Sequence, residues 1–196
     1  MSHFNHVANE WDSPEKIQLI TKLANKTREI INLGQNLDVL DFGCGTGLFG
    51  MAFLENAKSM TGIDTSESML EEFKRKSSAV NTETLLVDLE SEEINREFDL
   101  IVSSMAFHHL CEPSIVFNKL FKMLRAGGKI IIVDLEEEDG SFHPDPNAMG
   151  VKHFGFSRSE IDNWCLNLSV RKEIYTINKV TKSEKTYAQF LAVFTK

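Results

Sequence analysis

The residues best suited to chemistry stand at the ends of apolar runs, and the first of them opens a glycine turn. Asp41 follows Leu37, Val39 and Leu40 and precedes Gly43, Gly45 and Gly47, while Thr61-Gly62-Ile63-Asp64 and Leu85-Leu86-Val87-Asp88 each close on an acid. Glycines at alternate positions leave no β-carbons where the chain turns. A ligand can therefore approach the backbone and the amino end of the helix expected next. A cofactor site is the reading that follows, and two cofactors compete for it. Gly45-Thr46-Gly47-Leu48-Phe49-Gly50 fits the dinucleotide pattern GxGxxG, with Asp64 downstream of it. Asp41 argues the other way, because a carboxylate beside the turn repels a pyrophosphate and attracts a cation. Asp64 can take both hydroxyls of a ribose in either case.

Further groups collect later in the chain. Phe98-Asp99-Leu100-Ile101-Val102-Ser103-Ser104 reads as a strand that carries Ser103 and Ser104 to the edge where open α/β sheets bind ligands. His108 and His109 follow in the loop Met105–Leu110. An imidazole with an ordinary pKa near 6.5 suits a proton acceptor, which makes His109 the first candidate base and His143 the second. The competing reading is that one histidine only orders its loop. Asp134, Glu136, Glu137, Glu138 and Asp139 crowd one loop, either to meet a cationic substrate or as a solvated surface. His143, Asp145 and His153 lie nearby, but no two-histidine spacing typical of a metal site is present, and no metal is expected.

The elements that must position these groups alternate between strand and helix. The run around Val39 needs a sheet covered on both faces, and Leu48, Phe49, Met51, Ala52, Phe53 and Leu54 supply a helix to cover it. Asp12 or Ser13 caps a helix with Pro14 in its first turn, Ile20, Leu23, Ala24, Thr27, Ile30 and Ile31 on one face, and Gly34 as its stop. Thr65-Ser66-Glu67 starts a helix beside the ribose acid, with Met69 either on adenine or in the core. Val116, Phe117, Leu120, Phe121 and Leu124 mark another helix, and Ala126-Gly127-Gly128 a turn before the buried strand Lys129–Asp134. Gly140–Phe156 is too long and irregular for a plain connector and reads as a specificity loop. Ser157-Arg158-Ser159-Glu160 is a capping box for a helix over 158–168. Val170–Lys179 and Tyr187–Thr195, joined by Thr181–Lys185, read as an antiparallel hairpin. Phe4 and Trp11 serve either as core anchors or as a lid.

In this order VLDFGCGTG (39–47), GIDTSESML (62–70), LLVDLE (85–90), FDLIVSSMAFHHL (98–110) and LRAGGKIIIVDLEE (124–137) resemble the class I S-adenosylmethionine-dependent methyltransferases. Within that family the resemblance is to the small-molecule group that includes the ubiquinone and menaquinone methyltransferases, and it spans nearly the whole chain. It implies an α/β, Rossmann-like, seven-stranded and mostly parallel sheet in order 3-2-1-4-5-7-6, with strand 7 antiparallel and helices on both faces. It implies one domain over 1–196, with 1–35 as lid and helix and 140–156 as substrate loop. Asp41, Gly43, Gly45 and Gly47 would hold the methionine end of S-adenosyl-L-methionine. Asp64 would bind the ribose and Asp88 the adenine amino group. By their places beside these acids and at the end of the fourth strand, Thr65, Met69 (against the adenine), Leu89, Ser103 and Ser104 join the candidate cofactor contacts. The product would be S-adenosyl-L-homocysteine. Transfer by in-line displacement mainly needs positioning, which can supply about 7–11 kcal/mol of a barrier. A base is needed only if the acceptor arrives protonated.

Bulk properties narrow the acceptor. At 196 residues the chain makes one domain that buries about 70% of its unfolded surface. A net charge of −8 disfavours nucleic acid, which needs a basic face. The Asn/Asp-Pro-Pro-Tyr/Phe motif of nitrogen methyltransferases is replaced after the fourth strand by Ser-Ser-Met-Ala, which favours a small-molecule acceptor. Cys44, Cys111 and Cys165 give neither a disulfide framework nor metal-ligand spacing, as expected of a cytoplasmic protein. No apolar run reaches membrane-spanning length, so no membrane partner is expected. Two alternatives stay open at this point: an NAD-binding oxidoreductase, and a non-catalytic S-adenosylmethionine-binding regulatory module.

Overall fold

The computed structural model describes residues 12–77, 81–182 and 184–196. Phe4 and Trp11, the expected anchors or lid, lie outside the described residues.

Seven strands form one sheet: β1 Leu37–Phe42, β2 Ala57–Asp64, β3 Thr82–Leu86, β4 Phe98–Ser104, β5 Leu124–Leu135, β6 Arg171–Lys182 and β7 Lys185–Thr195. Their order is β3-β2-β1-β4-β5-β7-β6, and only β7 runs antiparallel to its neighbours. Side chains alternate across a strand, so each face of the sheet gathers its own core. Leu40, Ile101, Ile130, Ile132 and Phe190 pack with α3 (Pro113–Met123) and α4 (Arg158–Trp164) through Phe117, Leu120, Ile161 and Trp164. Val39, Leu100, Val102, Ile131 and Val133 pack on the other side, against Leu23 of α1 (Pro14–Ile30), Phe53 and Phe73 of α2 (Glu67–Lys76). Cover on both faces is why β1, β4 and β5 read as unbroken apolar runs.

Local chemistry sets the element ends. Ser13 caps α1 by accepting the N–H of Lys16, Ser66 caps α2 at Met69, and Ser157 with Glu160 closes the capping box of α4. Asp12, the other candidate cap, accepts from Thr46 and pairs with Lys76 instead.

Several expectations shift. The helix expected over Leu48–Leu54 is a 3-10 helix, Gly50–Asn56. The nearby glycines weaken helix formation, and Ala52 N–H bonds back only three residues, to Phe49. Ile30 is 41% exposed, because α1 ends there and Ile31 turns inward in its place. β3 stops at Leu86, which leaves Asp88 two residues beyond it. Ala126-Gly127-Gly128 is an irregularity inside β5 and not a separate turn, since Gly127 N–H bonds to Lys196 and the register shifts opposite Phe98 and Leu100. α4 ends at Trp164, and Leu168 reaches the core from the turn that follows. The β6–β7 strands run through the expected linker, pairing Lys182 with Lys185, because β-branched Thr181 and Thr186 extend the ladder. Among the described residues no helix is long and apolar enough to cross a membrane.

Candidate active site

β1 and β2 end side by side, and the chain leaving β1 turns through positive φ at Gly43 (62°), Gly45 (50°) and Gly47 (86°). A β-carbon at Gly43 would lie 2.6 Å from the Ala106 β-carbon, and one at Gly47 would lie 2.5 Å from Met51 Cε. Packing therefore demands glycine here as firmly as the backbone does. Asp64 locks the turn: its Oδ2 accepts the Gly45 N–H at 2.8 Å and its Oδ1 the Ser66 N–H at 2.9 Å. Each oxygen keeps a lone pair for a ribose hydroxyl. Burial raises the Asp64 carboxyl above its usual range although these backbone bonds oppose it. From outside, Thr46 donates to Asp12 at 2.6 Å, and Lys76 pairs with Asp12 and donates to the Thr46 carbonyl.

Asp41 stands at the centre of this edge. It is 2% exposed, and its Oδ2 has no hydrogen-bond partner among the described residues. A β-carbon at Gly50 would fall 2.1 Å from that oxygen, so the carboxyl occupies space that only glycine leaves open. Burial, and then the charge of Asp64, push the Asp41 carboxyl up to about 8. A buried acid beside a second acid is a site short of a cation, which the ammonium or sulfonium of S-adenosylmethionine would supply. Ser103 and Ser104 end β4 on the same edge, with hydroxyl oxygens that are buried and likewise without partners among the described residues. Unpaired polar atoms gathered at one edge fit a polar ligand.

The remaining expected contacts lie along α2 and beyond β3. Thr65 is exposed and gives its backbone N–H to Asp64, while Met69 is buried in the first turn of α2. Asp88 accepts from the Glu90 N–H and the Ser91 hydroxyl. The Leu89 side chain is core, so that residue offers its backbone alone to this edge.

Beyond β4 a short 3-10 helix, Phe107–His109, brings two imidazoles onto β5. His108 is 1% exposed, and its Nδ1 lies 2.7 Å from Oδ1 of the fully buried Asp134. Asp134 also accepts the backbone N–H of His108 at 3.3 Å and of Leu135 at 2.7 Å. Burial works to raise the Asp134 carboxyl, but His108 and these bonds hold it below its usual range. His109 Nδ1 donates to the Gly150 carbonyl at 3.2 Å. His143 completes a cluster in which His108 lies 4.1 Å from the His109 ring and 5.0 Å from the His143 ring. Burial first, and then His108, push both His109 and His143 down to about 4. The 140–156 segment is bound to this cluster through its backbone, because Lys152 and His153 both donate to the His108 carbonyl.

The acidic run divides accordingly. Asp134 is buried in the cluster, whereas Glu136 pairs with Arg158, Asp139 with Lys185, and Glu138 accepts from Ser141 and Phe142. Among the described residues no group of three histidine, cysteine or acidic side chains converges to hold a metal ion. The His108–Asp134 pair was missed in the sequence. Its signal was there: an acid at the end of the apolar run Ile130–Val133 must be buried, and a buried acid requires a partner.

Residues 39–128 match the family described as methyltransferase domain. An uncharacterized methyltransferase of Schizosaccharomyces pombe is 34% identical over 151 residues, which cover 68% of this chain and 53% of that protein. The chain spans about half the length of the curated relatives it matches. Among solved structures, a chain of the Haloferax volcanii complex between the Trm112 methyltransferase activator and a methyltransferase superposes with a TM-score of 0.79 at 15% identity, covering 100% of this chain and 98% of that one. A chain of the DhpI complex with SAM and HEP superposes with a TM-score of 0.73 at 17% identity, covering 99% and 94%. By the sheet order, the glycine turn with its acids and the family match, this chain belongs to the class I S-adenosylmethionine-dependent methyltransferase family. The donor of that class is S-adenosyl-L-methionine, and S-adenosyl-L-homocysteine is its product.

Proposed function

We propose that this chain is a single methyltransferase domain that transfers a methyl group from S-adenosylmethionine to a small-molecule acceptor by in-line displacement. The observation that carries the proposal is Asp41, a buried carboxyl beside the glycine turn whose Oδ2 has no partner among the described residues, held on the same sheet edge as the histidine cluster. Asp41 with Gly43, Gly45 and Gly47 receives the methionine end of the donor. Asp64 takes the ribose hydroxyls, with Thr65 beside them and Met69 toward the adenine. Asp88 and the Leu89 backbone meet the adenine, and Ser103 and Ser104 face the reacting end. The donor brings a methyl group already activated on a sulfonium. Holding the acceptor in line with it is the task left to the protein.

The acceptor side supports a small molecule. Residues 140–156, tied by backbone hydrogen bonds to the His108 carbonyl, would serve as the acceptor loop, and Met105, Phe142 and Tyr187 gather into an apolar cluster with Leu135. His109 and His143 are neutral at physiological pH, which suits them to orient an acceptor by hydrogen bonds. The net charge of −8 works against a nucleic-acid acceptor. Three free cysteines suit a reducing, cytoplasmic setting. The competing NAD reading is weakened by Asp41, which would face a pyrophosphate with no cation between them.

The test is incubation with methyl-labelled S-adenosylmethionine and a panel of phenols, carboxylic acids and amines. Label in the small-molecule fraction, with inversion at a chiral methyl group, is the expected result. Label only in added protein or RNA would overturn the acceptor class.

A further inference from the structure

The segment between β3 and β4 contains no helix or strand, yet it carries Asp88, the acid placed at the adenine in the reading above. α3 holds it at two points. Just before that helix begins, Glu90 Oε1 accepts the N–H groups of Cys111 and Glu112 at 2.8 and 3.0 Å. About two turns further on, the Lys119 ammonium donates to the carbonyls of Leu89, Glu90 and Glu92 at 2.7, 3.3 and 2.9 Å. Those three carbonyls match the three donors of an ammonium group. A lysine in mid-helix can reach into water, but this one is half-buried and turned onto the loop.

The peptides of the turn are gripped from both ends. The peptide joining Leu89 to Glu90 gives its carbonyl to Lys119 and its N–H to Asp88 Oδ1, the latter at 2.9 Å. The next, joining Glu90 to Ser91, gives its carbonyl to Lys119 and its N–H to the Asp88 carbonyl at 3.1 Å. A cation at the carbonyl end polarises a peptide and strengthens the bond that its N–H makes. Lys119 therefore acts on the Asp88 carboxylate through a single peptide unit.

We propose that Lys119 is a positioning residue for the donor's adenine, and that it sets the preference for a purine bearing an amino group. The inference rests on the methyltransferase reading above, with Asp88 at the adenine. Oδ1 is held by the Glu90 N–H and Oδ2 by the Ser91 hydroxyl, and each oxygen keeps a lone pair for an amino N–H. The carboxylate is thus aimed before the ligand arrives. Ordering the loop in advance removes a cost that binding would otherwise carry, and a ligand whose purine lacks the amino hydrogens gains nothing from that aim.

The experiment is calorimetric titration of the full chain with S-adenosylhomocysteine and with its desamino analogue, in which hydrogen replaces the amino group of the purine. Wild type should prefer S-adenosylhomocysteine by at least about tenfold, the scale of a hydrogen bond to a carboxylate. Lys119→Met should narrow that preference to under about threefold and leave the affinity for the analogue within about twofold of wild type. A role confined to stability would weaken both ligands alike. Thermal melts confirm that the variant folds; if it does not, Lys119→Gln, an uncharged and shorter side chain, takes its place with the same expectation. A preference unchanged in the variant, or both affinities lowered by the same factor, would overturn the proposal. Equal affinity of wild type for the two ligands would overturn it as well, by removing Asp88 from the adenine. Failure of wild type to bind S-adenosylhomocysteine at all would count against the methyltransferase reading instead.

Discussion

Asp64 joins two elements through one carboxylate, accepting the Gly45 N–H on Oδ2 and the Ser66 N–H on Oδ1. The same oxygens face the proposed ribose, so Asp64→Ala should weaken S-adenosylhomocysteine binding by about 1.5–3 kcal/mol, the scale of lost hydrogen bonds to a charged group. Calorimetry reads this directly. Unchanged affinity would remove Asp64 from the donor site.

Asp41 couples donor binding to stability. Its folded pKa of about 8 lies above the unfolded value near 4, so between those limits the folded state keeps a proton that the unfolded state has lost. Stability therefore falls as pH rises across that window. Asp41→Asn should be more stable than wild type at pH 8, by about 1–3 kcal/mol, with the gap closing toward pH 5. The same variant should bind the donor at least about tenfold more weakly, because an amide offers no charge to a cation. Denaturant melts at the two pH values, with calorimetry beside them, separate the two effects. Donor binding should also release a proton from Asp41 near pH 7, visible as a dependence of binding enthalpy on the buffer.

His109 and His143 act with the opposite sign. Both are held down to about 4, whereas an unfolded histidine titrates near 6.5. Between those values the unfolded state binds the extra protons, so these two groups lower stability as pH falls from 7 toward 4. The double variant His109→Gln, His143→Gln should lose about 1–2 kcal/mol less than wild type between pH 7 and pH 5, after allowing for solvent screening. Identical pH dependence in the two proteins would contradict the burial of both rings.

Gly43 links the glycine turn to the histidine loop by contact. At φ 62°, with its missing β-carbon 2.6 Å from that of Ala106, Gly43→Ala should cost about 2–4 kcal/mol from backbone strain and overpacking together. Adding Ala106→Gly should recover the packing part and leave the strain. Thermal melts of the single and double variants test this, and a double variant no better than the single would contradict the contact.

The parts of the fold that were legible are those in which burial and turn chemistry write directly on residue type. β1, β4 and β5 stand out because both faces are covered, and Ser66 and Ser157 because a cap needs a hydroxyl. Asp41, Asp64 and the three glycines stand out because each ends a strand or turns after one. What was not legible depends on distant parts of the chain. The tie from Asp12 to Thr46 and Lys76 spans 64 residues at its longest, and the pairing of His108 with Asp134 spans 26. His109 stood beside His108 with nothing local to distinguish them; only the position of Asp134 on β5 does so. The 3-10 form and later start of the helix after Phe49 go with Gly50, which leaves space for the Asp41 carboxyl, a contact that periodicity does not register.

The central claim is the identity of the donor, and the most direct test is calorimetric titration of the purified chain with S-adenosylhomocysteine and, separately, with NAD. Micromolar binding of S-adenosylhomocysteine with no measurable heat from NAD is the predicted result. Binding of NAD in its place would contradict the reading of Asp41 as a cation site and, with it, the methyltransferase function proposed for this chain.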